Sequence, residues 1–340
     1  MHNKKIERRS FVIPSLVLIL AIISIFSLRF GSADMSASEF FSALFRKDGG
    51  AASVIIYSIR LPRLLAGIVS GVGLALSGVL LQAVTGNPLA SPNVIGVNAG
   101  AGFGVVLSLA IIPSAVGMLS YLLLPAFAFV FALLTTLLVL VISNAAGGTR
   151  SSVVLSGVAI TALLNAFISA VNLADTDVLA SYNAFSIGGF SGVVYLDLLI
   201  PSIIVALCLV AAFILSYGIE LLCLGRSVAT TLGVRVDLVR TLAIILAAAS
   251  AAASVSFAGL LGFVGLIVPH ISRALVGHRM KLLLPTSALV GASVTVLADH
   301  VGRLIISPSE LPVGIMMAIV GAPFFIFLLW RKRGEVTDVN

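Results

Sequence analysis

The chain has 340 residues, of which 60% are hydrophobic and 10% charged, and its mean hydropathy is +1.20. These values exclude a soluble globular domain, because such domains carry about 25% charged residues. The net charge of +7 comes from basic residues scattered over short segments, which fits a membrane surface better than a nucleic acid. Since a helix needs about 20 apolar residues to cross a bilayer, the sequence predicts a multi-pass membrane protein without a large soluble domain.

A basic segment, residues 1–10, precedes the first apolar run at 11–28. This run can be read as a signal peptide or as an uncleaved membrane helix. We favour the helix, because the run is longer than the usual apolar core of a signal peptide and further apolar runs follow it. Residues 31–60 are mixed in polarity and predict a short surface helix.

Nine further apolar runs predict the remaining spans, and several of them have proline near their ends, where a helix tolerates it. The sequence therefore predicts a single all-α membrane domain, residues 1–340, forming a bundle of ten spans. Besides 11–28, the spans are placed at 62–84, 93–112, 117–142, 151–172, 195–217, 237–257, 259–276, 283–306 and 311–330.

The distribution of lysine and arginine predicts the orientation of the bundle. With a cytoplasmic N-terminus, the inner segments hold 14 of the 20 basic residues and the outer segments hold six. The opposite orientation would invert this ratio and break the positive-inside rule. We therefore expect both termini in the cytoplasm, with the polar stretch Gly225–Arg240 on the same side, between spans six and seven.

The two halves of the chain have weak similarity. The segments at 77–82 (SGVLLQ) and 258–263 (AGLLGF) are loosely alike, and their halves enter the membrane from opposite sides in the predicted topology. This arrangement predicts an inverted repeat, which is common among transporters.

Small residues recur at helical spacing within the spans, as at Gly67 and Gly71 and in the glycine cluster at 96–104. In lipid, small residues let helix backbones approach closely, so we interpret them as packing positions. A phosphate-binding glycine loop would need a preceding strand, and no Gly-Lys pair occurs in the chain. If ATP drives this protein, another chain must bind it.

No motif in the chain predicts catalysis or a metal site. Neither an HExxH pattern nor a Ser/His/Asp spacing occurs, and Cys208 and Cys223 lack the spacing of a metal or redox pair. We interpret both cysteines as small apolar residues and His270 as a capping or packing residue. The sequence therefore indicates that the chain is not an enzyme.

Three arginines break the positive-inside bias at the predicted outer face: Arg60 and Arg63 before span two, and Arg303 at the end of span nine. One interpretation is interfacial arginines, with Asp299 pairing with Arg303 one helical turn away. The other is a basic docking surface for an acidic partner. Asp299 and His300 also allow a proton relay, as in a secondary transporter, although the spans carry few ionisable groups that could continue it.

Two polar segments lie on the predicted cytoplasmic side. The turn TGNPLASPN at 85–93 is either a simple loop or part of an inner gate, because irregular backbone is tolerated at membrane depth where it lines a cavity. In Gly225–Arg240 we predict a short helix with Ser227 as N-cap, a stop at Gly233 and a second short helix leading into span seven. This segment is either an amphipathic connector or a docking point for a cytoplasmic motor.

Several motifs in order resemble one family. They are RLPR (60–63), SGVLLQ (77–82), NPLASPNVIGVNAGAG (87–102), LGRSVATTLGV (224–234), GFVGLIVPHISR (262–273), LADHVGR with SELPVG (297–314) and GAPFFIFLL (321–329). Over about residues 10–333 the chain is similar to the FecCD family, the permease subunits of type II ABC importers for iron-siderophores, haem and vitamin B12.

The resemblance implies a subunit of the cell membrane that works with a second permease subunit, as a homodimer or with a paralogue. It further implies two cytoplasmic ATPase subunits, which bind ATP and Mg, and an extracytoplasmic substrate-binding protein. No cofactor is expected on this chain. The segment 225–240 matches the family's coupling loop, with contacts to the ATPase expected from Arg226, Ser227, Ala229, Thr230, Leu232, Gly233 and Val234.

The resemblance also assigns the arginines and the gate. Arg60, Arg63 and Arg303 match outer arginines that receive glutamates from the binding protein. Asn87 and Leu89 match inner-gate positions of the vitamin B12 member. A second gate segment, GGTRSSVV, holds Arg150 and Ser151 and departs from that member, which has small hydroxyl residues close to the position of Arg150.

We therefore expect an ATP-driven importer of a metal chelate. A ferric siderophore ranks first as cargo, then haem, then a corrinoid. The alternative is a proton-coupled secondary transporter that uses Asp299 and His300.

Overall fold

The computed structural model describes residues 2–31, 35–46, 50–112 and 118–337, and no β-strand occurs in these ranges. The all-α prediction is thus confirmed. A π-helical segment, Ile55–Arg60, joins α3 to α4, and a 3₁₀ turn, Pro92–Ile95, precedes α5. The α-helices are α1 His2–Arg29, α2 Ala37–Arg46, α3 Ala51–Val54, α4 Leu61–Thr85, α5 Val97–Ile111, α6 Met118–Ala145, α7 Arg150–Ala174, α8 Thr176–Ile187, α9 Tyr195–Ile214, α10 Ser216–Cys223, α11 Arg226–Thr231, α12 Val236–Ala258, α13 Val264–Val276, α14 Met280–Ile305 and α15 Val313–Thr337.

Within the described ranges, seven helical stretches are long and apolar enough to cross a membrane, and three more apolar helices are shorter. Each of the ten predicted spans overlaps one of these ten stretches. The seven long stretches are Phe11–Arg29, Ala51–Thr85, Leu122–Ala145, Ser151–Ala174, Tyr195–Ile214, Val236–Ala258 and Met280–Ile305; the shorter helices are Val97–Ile111, Val264–Val276 and Val313–Leu328.

The prediction for residues 31–60 is wrong in its second half. A short helix, α2, is present, but the second span begins eleven residues earlier than expected and runs as one helical stretch from Ala51 to Thr85. Pro62 lies inside this stretch, directly after the π-helical turns of Ile55–Arg60, and such local π adjustments are one way in which a membrane helix accommodates a proline. Arg60 and Arg63 therefore lie inside a continuous helical stretch and not before it.

The helix α4 is the centre of the bundle. Its apolar window is 78% buried, whereas that of α1 is 6% buried. It packs against α9, α12, α13 and α14. Gly71 of α4 faces the backbone of Gly291 in α14, and Gly78 faces the backbone of Gly265 in α13, so a Cβ at either position would collide with the neighbouring chain.

The helices α5 and α6 use the same device. Gly100 and Gly104 of α5 lie against the backbone of Phe131 and Phe127 in α6, without room for a side chain. The prediction that the glycines serve close helix packing is confirmed by these contacts. The physical reason is that small residues let backbones approach in an apolar environment that provides no hydrophobic drive between helices.

The segment pair that suggested an inverted repeat differs in structure. Residues 77–82 lie inside α4, whereas 258–263 cover the end of α12 and the irregular connection to α13. This pair therefore gives no support to the repeat, which stays a prediction.

Two opposite ends of the bundle matter for function. The helices α4 and α14 are antiparallel, and Arg63 meets Asp299 at one end; we call this the arginine end. At the other end the Met280 N–H, at the start of α14, donates to Glu220 of α10 at 3.3 Å. The helix α10 packs against α11 there, and we call this the α11 end.

Candidate functional site

The helix α11 projects from the α11 end after Gly225, whose φ of +108° favours glycine. The prediction of Ser227 as N-cap is wrong. Ser227 lies inside the first turn, Gly225 occupies the N-cap position, and no side chain caps the helix. The Ser227 carbonyl instead accepts from the hydroxyls of Thr230 and Thr231 at 2.9 and 3.0 Å. Glycine at the N-cap is only slightly less favourable than serine, so the register can shift by two residues at little cost.

The end of α11 confirms the predicted stop at Gly233. This glycine has a φ of +81°. Its N–H donates to the Thr230 carbonyl at 3.0 Å, and the Val234 N–H donates to the Ala229 carbonyl at 3.0 Å. These two bonds form a Schellman motif, which satisfies carbonyls at the helix end and reverses the chain.

One buried residue seats α11 on the bundle. Ala229 is fully buried with Leu221 and Leu222 of α10 and Val236 of α12, and Val234 packs against this cluster. The opposite side of α11 is exposed. We call α11, packed on the bundle through Ala229 and exposed on its other side, the α11 platform. Its exposed members from the predicted coupling set are Arg226, Ser227, Thr230, Leu232 and Gly233.

The predicted second short helix is wrong. The segment after Arg235 is the first turn of α12, which continues without a break from Val236 to Ala258. No glycine or proline interrupts this range, and its many alanines have the highest helix propensity. The platform is therefore joined directly to a long helix of the core.

Two arginines attach this region to its surroundings. Arg226 of α11 pairs with Asp237 of α12 at 2.9 Å, and both side chains are exposed. Arg240, one turn further along α12, donates to the carbonyls of Gly148 and Thr149, the latter at 3.3 Å. These carbonyls belong to the turn between α6 and α7, so α12 contacts the predicted second gate segment.

The predicted gate residues meet at a cavity of about 680 Å³ near the α11 end. The ends of α4 and α6 and the start of α7 surround it, and it contains both Asn87 and Ser151. Leu89 is not part of the lining, and the Arg150 side chain lies outside the described residues. The lining residues are Thr85, Asn87, Ala146, Ser151, Ser152, Val154, Leu155, Ser156 and Val158.

Both segments that reach this cavity are held by local hydrogen bonds. The Asn87 side chain accepts from the Leu89 N–H at 2.9 Å, which fixes the turn after α4. Thr149 is the N-cap of α7 and accepts from the Ser152 N–H at 3.1 Å. These are the turn and cap geometries that Asn and Thr favour.

The arginine end holds a buried ionic cluster, which we define as Arg60, Arg63, Asp299, Arg303 and Glu310. Arg63 donates to Asp299 through Nε and Nη2 at 3.0 and 2.9 Å and pairs with Glu310 at 2.5 Å. The Arg303 Nε lies 3.2 Å from the second Asp299 oxygen. The i,i+4 pair that the first interpretation expected is therefore present.

The remaining contacts of the cluster reach α1. Arg303 donates to the Ser27 hydroxyl at 2.7 Å, and Arg60 donates to the carbonyls of Leu28 and Arg29 at 2.8 and 2.7 Å. All three arginines are buried. The cluster thus joins α1, α4 and α14, and the open basic surface of the docking interpretation is not what the structure presents.

Sequence reasoning missed Glu310 and Ser27. Glu310 stands 247 positions from Arg63, and a spacing of that size carries no local signal. Arg63 and Glu310 also line a cavity of about 480 Å³ together with Phe185, Phe257 and the backbone of residues 188–189. Glu310 is the more exposed partner, with 26% of its side chain accessible, so this pair faces an opening at the arginine end.

The proton-relay residues are placed unfavourably for that role. Asp299 accepts from Arg63 with both oxygens and also contacts Arg303, so its charge is already balanced. His300 is buried, and its Nδ1 has no hydrogen-bond partner in the part of the chain that the structure describes. No contact in these ranges continues a path from Asp299 through His300.

The cysteines and metal-binding groups add no further site. Cys208 and Cys223 are free thiols; Cys208 is buried, as expected of an apolar packing residue, whereas Cys223 is exposed. Among the described residues no cluster of three or more His, Cys, Asp or Glu side chains could hold a metal ion.

The all-helical fold, with seven described stretches that are long and apolar enough to cross a membrane, defines a multi-pass membrane protein. The comparisons with known proteins identify its family. The FecCD transport family matches residues 18–331, and the chain belongs to that family.

Its relatives cover nearly the whole chain. The Fe(3+)-citrate import system permease protein YfmD of Bacillus subtilis is 37% identical over 98% of both chains. The ferric enterobactin transport system permease protein FepD of Escherichia coli is 37% identical over 95% of this chain and 96% of its own. The hemin transport system permease protein HmuU of Yersinia pestis is 32% identical over 95% and 97%.

Solved structures share this fold. A metal-chelate type ABC transporter in an inward-facing conformation has a TM-score of 0.83 at 33% identity and covers 95% of this chain and 99% of its own. PsaBC from Streptococcus pneumoniae, at 19% identity and a TM-score of 0.58, shows the fold alone.

The chain is therefore the permease subunit of a metal-chelate ABC importer and an integral protein of the cell membrane. A permease subunit is not itself an enzyme. Membership of the family implies ATPase and substrate-binding partners and a second permease subunit.

Proposed function

We propose that the chain carries a ferric chelate from a substrate-binding protein into the cytoplasm, with a ferric siderophore as the first candidate cargo. The names of the relatives support this ranking, since they include permeases for ferric citrate, ferric enterobactin and hemin. Haem is second, and a corrinoid is third.

In this proposal all ten apolar helices cross the membrane and both termini are cytoplasmic. The lysine and arginine distribution supports the orientation, which puts α11 on the cytoplasmic side and the buried ionic cluster on the outer side. Two of the three shorter helices, Val97–Ile111 and Val264–Val276, are largely covered by neighbouring helices, whereas Val313–Leu328 keeps Ile319, Val320 and Phe327 exposed, as a lipid-facing helix would. Val97–Ile111, for example, packs against α6, α7 and α12.

The α11 platform is the observation that carries the assignment of a driven importer. A helix of six residues is far too short to be stable alone, yet this one is held by a buried alanine, a Schellman motif and an ion pair. Apart from Arg226, which pairs with Asp237, its exposed face offers Ser227, Thr230 and Leu232 to a partner. We assign this face to the ATPase, which binds ATP and Mg and moves the platform.

The binding protein would dock at the arginine end. Because Arg63 is paired with Glu310 at the edge of a cavity, a carboxylate of the partner can take the place of Glu310. Exchange of one carboxylate for another keeps the guanidinium paired, which avoids the cost of a buried uncompensated charge. Arg60 and Arg303 would stabilise this site through their contacts with α1 and, for Arg303, with Asp299.

The pathway would lie between two permease subunits, on the side of α7. The window of α7 is only 17% buried, and Leu155, Val158 and Phe167 are exposed along it. An apolar face of this extent fits lipid or a second subunit. The cavity that holds Asn87 and Ser151 opens beside α7 and would form the inner gate, with Leu89 and Arg150 nearby.

No structural observation favours the proton-coupled alternative, because Asp299 is bound by two arginines. The proposal is tested by purifying the permease with its binding protein and identifying the bound ligand by mass spectrometry. Recovery of a ferric siderophore supports the first-ranked cargo. Recovery of haem or a corrinoid would overturn that ranking, and recovery of an uncomplexed amino acid or sugar would overturn the metal-chelate assignment.

A further inference from the structure

Three contacts form a continuous connection from the α11 platform to the start of α7. The first is the seat of α11, where Ala229 packs on Val236 at the beginning of α12. The second is the ion pair between Arg226 and Asp237 at 2.9 Å. Both contacts join α11 to the first turn of α12, so a displacement of the platform acts directly on that turn.

The third contact leaves α12 one turn later. The Arg240 guanidinium donates to two successive carbonyls, those of Gly148 and Thr149. Bonds from a charged donor are roughly twice as strong as neutral ones, and two bonds from one planar group fix direction as well as distance. Arg240 therefore holds the turn between α6 and α7 in one orientation.

This turn ends α6 tightly, because the Gly147 and Gly148 N–H groups donate to the carbonyls of Asn144 and Ser143 at 3.2 and 2.8 Å. Gly147 and Gly148 have φ values of +92° and +61°, which glycine adopts readily. Thr149 then caps α7 through the Ser152 N–H. Any rotation of the turn is passed to the first turn of α7, where Ser151 and Ser152 line the 680 Å³ cavity.

We propose that Arg240 is the positioning residue that transmits movement of the α11 platform to the gate cavity at the start of α7. This inference rests on the proposed function, because it assumes that an ATPase moves α11. It adds a specific residue and a specific contact that neither the coupling platform nor the gate cavity contains by itself. Coupling is demonstrated by a two-state element that both sites bias, so the test separates transmission from folding.

The experiment uses the complete importer, with both ATPase subunits and the binding protein, reconstituted in proteoliposomes. Arg240→Ala is compared with the wild type for ATP hydrolysis and for uptake of a ferric siderophore. We expect hydrolysis within twofold of the wild type and uptake per ATP reduced at least tenfold. Arg240→Lys, which keeps one charged donor, should restore part of the uptake. Arg279→Ala removes an exposed arginine at the same end and should change neither rate.

A second readout follows the gate itself. In a Cys223→Ser background, Ser151→Cys provides a thiol at the cavity, and its modification rate by a water-soluble maleimide is measured with and without ATP and vanadate. We expect a nucleotide-dependent change in this rate with Arg240 present and no change with Arg240→Ala. If Arg240 had only a structural role, Arg240→Ala would not keep ATP hydrolysis while losing the nucleotide-dependent change in the labelling rate.

The outcomes distinguish the inference from the function on which it rests. Absence of ATP-driven uptake in the wild type would overturn the proposed function. If the wild type shows ATP-driven uptake and Arg240→Ala shows the same uptake and the same thiol labelling, only the inference is overturned. Loss of ATPase assembly in Arg240→Ala would also overturn it, because the residue would then serve the interface and not transmission.

Discussion

Arg63 of α4 and Asp299 of α14 form a buried ion pair, in which the Arg63 Nε donates to both carboxylate oxygens at 3.0 Å. The two residues are 236 positions apart in the chain. Asp299 also balances Arg303, so one carboxylate serves two arginines. The pair is therefore a structural clamp between α4 and α14 at the arginine end.

Replacement of Asp299 should destabilise the fold. Asp299→Ala leaves two buried guanidinium groups without their shared carboxylate, and removal of one member of a buried pair costs about 3–5 kcal/mol. We expect a marked fall in the thermal unfolding midpoint in detergent. Asp177→Ala, at an exposed position in the first turn of α8, is the control and should shift the midpoint little. Equal midpoints for both variants would show that the clamp does not stabilise the bundle.

Enlargement of Gly71 should separate α4 from α14. A Cβ at this position meets the backbone of Gly291, and overpacking typically costs about 1–3 kcal/mol. We expect Gly71→Ala to lower stability in a chemical or thermal unfolding experiment. Gly262→Ala is the matched control, because that position has open space and no positive φ. The packing account fails if the two variants unfold alike.

Proline at Thr230 should uncouple ATP hydrolysis from transport. Proline inside a helix costs about 3 kcal/mol, and the loss should disorder α11 while leaving the core intact. We expect the ATPase to remain active and chelate uptake to fall. Thr230→Ala, which keeps the backbone donor, should transport nearly normally. Normal uptake by Thr230→Pro would remove the platform from the mechanism.

Neutralisation of Glu310 should strengthen docking of the binding protein. Glu310→Gln removes the carboxylate that competes for Arg63, so a partner carboxylate should associate faster, most clearly at low salt, where charges steer encounter. We expect an increase of severalfold in the association rate, measured by biolayer interferometry with the permease in nanodiscs.

The control for this prediction is Glu39→Gln. Glu39 lies in α2 at the same end, is exposed, and accepts hydrogen bonds from Ser36 that lower its carboxyl pKa. Its removal changes the net charge by the same amount without releasing Arg63. If both variants associate equally fast, or Glu310→Gln associates more slowly than the wild type, carboxylate exchange at Arg63 is wrong.

Hydrophobic run length and local turn chemistry were sufficient to predict most of the fold. The apolar runs predicted the helices because a bilayer leaves few alternatives to a helix. Gly233 was predicted as a stop because the requirement for a positive φ is local. The predicted start of α11 at Ser227 was wrong, because Gly225 can also serve as an N-cap. Local sequence does not decide between two candidate caps that stand two residues apart.

The long-range contacts of the sites were outside the reach of the sequence. The Asp299–Arg303 pair could be proposed because its members are one helical turn apart, whereas the pairing of Arg63 with Glu310 depends on how α4 packs against the connection between α14 and α15. The contact of Arg240 with the turn at Gly148 likewise spans 92 positions. Such contacts follow from tertiary packing, which periodicity and motifs do not encode.

The central claim is ATP-driven import of a metal chelate, and its most direct test is transport in proteoliposomes with defined partners. A binding protein loaded with ferric siderophore is supplied outside and ATP inside, and iron uptake is followed with and without a proton gradient. We expect uptake that requires ATP, the ATPase subunits and the binding protein and that persists when the proton gradient is collapsed. Uptake that follows a proton gradient in the absence of the ATPase would contradict the account.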